Sequence, residues 1–109
     1  ALTQAAYISR GTFQTQRIEH AYLEPECALA KPWSRNGENG IEVFSQGQGA
    51  YEDRSQIAKL LGIPLHRVRV IQVPTGGAFG GKEDLSVQGH AALFAYLLQK
   101  PVRVALDVA

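Results

Sequence analysis

The sequence predicts an α+β fold, one mixed sheet with two main helices packed on it. Three observations carry that expectation. Strand-like and helix-like stretches alternate in the order strand, strand, helix, strand, helix, strand. Hydrophobic residues make up 45% of the 109 and charged residues 19%, which is core material enough for a globular domain and wrong for a disordered one. Between the best strand and the best helix lies a loop in which Gly76, Gly77, Gly80 and Gly81 crowd into six positions.

Element by element, residues 1–16 are polar and weakly patterned and read as an entry segment, leaving 17–109 for the domain. Residues 17–31 look extended, with an interruption at Pro25, which has no amide for a ladder. Asn36-Gly37 and Asn39-Gly40 are turn signals, and Ile41-Glu42-Val43-Phe44-Ser45 alternates as a strand, so an antiparallel hairpin is expected. A helix is expected over 51–61, with Ile57, Leu60 and Leu61 on one face and Glu52 and Asp53 in its first turn, where acids suit the helix dipole. Gly62 caps it and Pro64 prevents its continuation. Residues 68–73 are β-branched at Val68, Val70, Ile71 and Val73 and read as a strand. A second helix is expected over 84–99, apolar nearly all round through Leu85, Ala92, Leu93, Phe94, Tyr96, Leu97 and Leu98. Such a helix needs cover on more than one side, which implies missing partners or self-association. Val102, Val104 and Leu106 alternate as a last strand. The chain has no methionine and ends within strand-like sequence, so a single partial domain of a longer polypeptide is expected.

Charge narrows the function. Eleven basic residues against ten acidic ones give +1, which argues against nucleic acid or an anionic membrane surface as partner. No apolar run approaches the roughly 20 residues of a membrane span, and a cytoplasmic location is expected. The single cysteine, Cys27, has no positioned histidine and reads as a strand residue. His20, His66 and His90 lack metal-ligand spacing, with His90 reading as a hydrogen-bonded packing residue. Arg67, Arg69 and Arg103 read as charges on a solvated sheet face, and Trp33 beside Pro32 as hairpin packing.

The glycine loop is the informative stretch. Glycines permit positive φ and bring bare N–H groups close to a ligand, and the helix start beyond them favours an anion. Gly76, Gly81 and Lys82 match the spacing of a phosphate-binding P-loop, but Glu83 stands where a magnesium-binding Ser or Thr belongs. The dinucleotide pattern G-x-G-x-x-G fails on spacing as well. A non-catalytic anion- or nucleotide-binding module built on residues 76–81 stays open as an alternative.

Gly76-Gly77-Ala78-Phe79-Gly80-Gly81-Lys82-Glu83 resembles the G-G-x-F-G-G-K-E signature of the molybdenum hydroxylases, the xanthine dehydrogenase and aldehyde oxidase family. Tyr22-Leu23-Glu24-Pro25, the Gln56–Pro64 helix and turn, and Pro101-Val102-Arg103-Val104 resemble flanking segments of the same family, so the likeness covers roughly residues 17–107. It implies a fragment of a molybdopterin-binding domain from an enzyme that oxidises purine-like heterocycles with water as oxygen source. Ala78, Glu83-Asp84 and Gln88 look most like the bacterial, selenium-dependent xanthine dehydrogenase type. The resemblance further implies Gln48, Gly77, Phe79 and Gly80 as cofactor-binding residues, with Gln48 and Phe79 near the metal, and Glu83 as the substrate-orienting residue. Gln46 competes with Gln48 for the same role, because Ser45-Gln46-Gly47-Gln48 departs from the family's usual ending there. The metal is expected to be held through the pterin, with no direct protein ligand in this segment. Iron–sulfur clusters and FAD are implied on other domains or subunits, since one cysteine cannot hold a cluster here. The remaining partners implied are the rest of the molybdopterin-binding chain and a small heterocyclic substrate. The 109 residues alone are expected to be inactive.

Overall fold

A computed structural model describes residues 2–107, with the side chain of Leu2 excluded. Four strands and two helices follow in chain order: β1 (Cys27–Arg35), β2 (Glu38–Ser45), α1 (Ala50–Leu61), β3 (Val68–Gln72), α2 (Val87–Leu98) and β4 (Val102–Ala105). Short 3-10 turns lie at Leu2–Gln4 and Leu65–Arg67. The sheet order is β3-β2-β1-β4. β2 and β3 run parallel, joined through α1, while β1 is antiparallel to both β2 and β4. The mixed sheet with two helices is the α+β architecture expected.

The hairpin turns where Asn36 (φ 52°) and Gly37 (φ 79°) both take left-handed backbone, the conformation that a two-residue turn between twisted strands requires. β2 therefore starts at Glu38, three residues before the sequence pattern predicts, and Asn39-Gly40 lies within the strand. Gly40 pairs with Trp33, whose ring occupies the space a side chain there would need. Residues 17–25, expected to be extended up to Lys31, join no ladder; the Glu26 carbonyl accepts one bond from the Leu106 amide and the strand begins at Cys27. Pro32 sits within β1 beyond Cys27–Ala30, the stretch that β4 covers, so its missing amide costs no bond on that side.

Both helices pack on one face of the sheet. Ala28, Ala30, Ile41, Val43 and Val68 point from the strands into a core with Ile57, Ala58, Val87, Ala91, Ala92 and Ala95. The alanines let α2 approach the sheet closely. The opposite side of α2 is open, with Phe94, Leu97 and Leu98 48%, 68% and 60% exposed, so the helix is buried on one side within this chain. Leu60 likewise faces outward, and only Ile57 of its predicted trio is fully buried. Gly62 takes left-handed backbone (φ 63°) and closes α1 with bonds from its own amide and that of Ile63 back to Lys59 and Ala58. α2 begins at Val87, three residues later than predicted, because the Ser86 amide is capped by the Gln88 side chain and residues 83–86 remain loop. Residues 3–21 are exposed throughout. This projecting segment raises the radius of gyration to 19.7 Å, against about 13 Å for a compact chain of this length.

Gly40→Ala tests the hairpin packing, because its Cβ would collide with the Trp33 ring and the Arg67 carbonyl oxygen. A loss of about 1–3 kcal/mol is expected in denaturant unfolding followed by Trp33 fluorescence. Gly49→Ala, whose Cβ meets nothing closer than 3.6 Å, should cost less, about 1 kcal/mol at most through the weaker N-cap of α1.

Candidate functional site

The glycine loop leaves β3 and enters α2 at one end of the sheet. The Val73 amide extends the parallel pairing by one bond to the Ser45 carbonyl, so the loop emerges beside the segment that follows β2. Gly77 (φ 99°) and Gly80 (φ 88°) use the freedom of glycine, and Phe79 between them is also left-handed at φ 53°. For a residue with a Cβ that conformation costs roughly 1–2 kcal/mol and is characteristic of functional loops. The Phe79 ring is 75% exposed. Among the described residues, the amides of Gly77 and Phe79 donate to no protein acceptor.

Gln48 clamps this loop. Its amide donates to the Lys82 carbonyl at 3.0 Å, and its Oε1 accepts from the Gly80 amide at 3.0 Å. Gly80 is therefore committed within the chain, while the Gln48 Nε2 has no protein partner among the described residues. Gln46 points elsewhere: its Oε1 accepts from the Cys27 amide at 3.0 Å, and its carbonyl accepts from Thr75. Of the two glutamines, Gln48 is the one whose side chain reaches the glycine loop. Glu83 is exposed and follows directly on the clamped Lys82. Cys27 is half-buried in β1 with Arg103 donating to its sulfur, and no group of three His, Cys, Asp or Glu among the described residues is placed to hold a metal ion.

From the other side the loop is crossed by residues 20–24. The Glu24 carboxylate accepts from the Gly76 amide at 2.7 Å and from the Lys82 ammonium at 2.9 Å. Lys82 is 2% exposed, and its ammonium also lies 4.8 Å from the centre of the Tyr22 ring. The hydrogen bond from Lys82, then that from Gly76, holds the Glu24 carboxyl below the ordinary carboxylate range. A Cβ at Gly81 would stand 2.6 Å from the Tyr22 ring and 3.0 Å from His20, and one at Gly76 would stand 3.0 Å from Glu24. These two glycines admit the crossing segment. The P-loop reading fails here, since the lysine it needs for a phosphate is buried on a carboxylate. This agrees with the mismatch at Glu83, and the only hint of the Lys82 partner in the sequence was Glu24 in the flanking motif.

Beneath Gln48 lies a buried polar cluster that sequence reasoning missed. Asp53 lies in the first turn of α1 as expected, but it is 1% exposed, which its place in the helix does not indicate. Its carboxylate accepts from the Ser45 hydroxyl at 2.9 Å, and the Ser45 oxygen accepts from the Gly47 amide and the Gln88 side chain. Gln72 donates to the Gly47 carbonyl, so the residue before Gln48 is held from both sides. Glu26 and Ser86 add a further hydrogen bond between the start of β1 and the start of α2. Burial pushes the Asp53 carboxyl up, with the Ser45 bond opposing it and nearby Glu52 adding to it.

All of residues 1–109 match the family described as the molybdopterin cofactor-binding domain. The nicotinate dehydrogenase large molybdopterin subunit of Eubacterium barkeri is 38% identical over 104 residues, covering 95% of this chain and 24% of that protein. Xanthine dehydrogenase/oxidase of Mus musculus is 43% identical over 91 residues, covering 82% of this chain and 7% of that protein. The chain thus spans less than a quarter of the length of these relatives. Among solved structures, quinoline 2-oxidoreductase from Pseudomonas putida 86 superposes with a TM-score of 0.76 at 25% identity, over 96% of this chain and 13% of that one.

Asp53→Asn separates charge from hydrogen bonding in the buried cluster. The folded protein retains the Asp53 proton above the ordinary value of 3.8, so ionisation removes stability as pH rises through the window between that value and the raised one. Asparagine can still accept from Ser45 but does not ionise. Unfolding measured from pH 4 to 7 should therefore show the variant gaining on the parent protein as pH rises. Parallel curves would show that the charge carries no cost.

Proposed function

The chain belongs to the molybdopterin cofactor-binding domain family, and from that membership we propose that it forms part of the cofactor cradle of a molybdenum-dependent oxidoreductase acting on purine-like nitrogen heterocycles. The observation that carries the reading is the meeting of Gln48 with the glycine loop, 32 residues apart in sequence and joined at the Gly80 amide. The residues present suit a polar, anionic cofactor. The bare amides of Gly77 and Phe79, on left-handed backbone, can donate to its oxygens, and the Gln48 Nε2 supplies a further donor.

Bound there, the cofactor supplies two-electron oxidation of an electron-poor ring carbon, with water as the oxygen source. The chain's own residues then divide the work. Gln48 and the amides of Gly77 and Phe79 hold the cofactor, Gly80 fixes the Gln48 side chain, and the exposed Phe79 ring gives the site an apolar wall. The Glu83 carboxylate accepts a ring N–H of the substrate and so orients the heterocycle. Nicotinate, xanthine and quinoline in the names of three similar proteins share a nitrogen heterocycle, whereas others are named for an aldehyde or carbon monoxide, so the substrate class rests on Glu83. The rest of the molybdopterin-binding chain completes the cradle, and iron–sulfur and flavin domains or subunits carry electrons away. The nucleotide-binding alternative has lost its cation to Glu24.

Metal analysis and steady-state kinetics of the full-length enzyme test these roles. Gln48→Ala should lower molybdenum content. Glu83→Gln should retain molybdenum while turnover of xanthine or hypoxanthine falls about 10- to 100-fold, as loss of one charged hydrogen bond implies. Unchanged purine turnover in Glu83→Gln would remove the substrate assignment, and a parent enzyme without molybdenum would remove the function.

A further inference from the structure

We propose that Glu24 is a positioning residue for this site: its carboxylate straps residues 20–24 across the glycine loop and thereby sets where Phe79 and Gln48 stand. The proposal rests on the reading of the loop as a cofactor cradle. A single carboxylate oxygen, Oε2, holds the loop at both ends, through the Gly76 amide where it opens and the Lys82 ammonium where it closes. A buried ammonium demands a counter-charge, and Glu24 is the only carboxylate paired with Lys82 among the described residues.

The contacts run on without a gap. The Lys82 carbonyl accepts from the Gln48 amide, and the Gln48 side chain accepts from Gly80, next to Phe79. Glu24, Lys82, Gln48 and Gly80 thus form one chain of contacts, each no longer than 3.0 Å. On the strap side, Tyr22 and His20 close over Gly81, where any side chain would be excluded. Among the described residues, the Glu24 carboxylate makes the only hydrogen bonds from residues 17–25 to the rest of the protein. Loss of its charge releases the strap and leaves Lys82 buried without a counter-charge.

The test uses the full-length holoenzyme carrying Glu24→Ala or the isosteric Glu24→Gln, with Val68→Ala as control. Val68 is a core residue at the end of β3 away from the loop, so its truncation lowers thermal stability without touching the strap. Four quantities are read: amide hydrogen exchange in peptides spanning 73–86, molybdenum content, kcat and KM per bound molybdenum, and the electron paramagnetic resonance spectrum of the reduced metal. Glu24→Ala should speed exchange in 73–86 at least tenfold. It should also lower kcat per molybdenum at least tenfold with KM changed less than threefold, and alter the resonance spectrum. Glu24→Gln, which keeps an acceptor for Gly76 but loses the charge, should fall between it and the parent. Unchanged exchange and unchanged kcat per molybdenum in Glu24→Ala would overturn the proposal, as would the same losses in Val68→Ala. If the parent enzyme holds no molybdenum, the cradle reading fails by itself, and the exchange measurement still decides whether Glu24 orders the loop.

Discussion

The buried ammonium of Lys82 is the constraint on which the site's local geometry turns. Taking a charge out of water is tolerable only with a partner in good geometry, so the Glu24 carboxylate has to be brought to it across 58 residues of sequence. That requirement folds residues 20–24 over the loop, and the crossing is close: a Cβ at Gly81 would collide with the Tyr22 ring, and one at Gly76 would press on Glu24. The Lys82 carbonyl then receives the Gln48 amide. Through its ammonium and its carbonyl, Lys82 therefore brings together three stretches that themselves lie outside the strands and helices.

The glycines divide into two kinds by what they do. Gly76 and Gly81 make room for neighbouring protein, whereas Gly77 and Gly80 supply backbone conformations that a side chain rarely adopts. Phe79, caught between the latter two, takes the same left-handed conformation without glycine's freedom and presents its ring to solvent. The scaffold below is built of small residues and a buried, hydrogen-bonded polar cluster. Alanines at the α2–sheet contact allow close approach, and Ser45, Asp53 and Gln88 anchor the turn that carries Gln48. Rigid support beneath a strained loop is what holds a binding geometry in place.

Belonging to the molybdopterin cofactor-binding domain family gives these features their context. The outward-facing Phe94, Leu97 and Leu98 on α2, with Tyr7 and Phe13 on the projecting segment, are apolar groups that this chain does not itself cover. They accord with a segment spanning less than a quarter of its relatives' length.

The element order, the hairpin turn at Asn36-Gly37, the Gly62 cap and the family were legible in the sequence, because each depends on neighbours within a few residues or on a contiguous motif. The strand start at Cys27 and the helix start at Val87 were not, because ladder partners and the Gln88 cap decide them. Burial of Asp53 was also hidden. An acid in a first helical turn satisfies the dipole equally well in water, and only packing against Ser45 takes it inside. Local pattern could not choose between Gln46 and Gln48 as the residue that meets the glycine loop. The fold decided it, by spending Gln46 on the Cys27 amide and turning Gln48 toward Gly80. Sequence by itself determined which loop and which residue types make up the candidate site. Tertiary structure alone decided which partners they meet, since long-range ion pairs and hydrogen bonds leave no periodic signature along the chain.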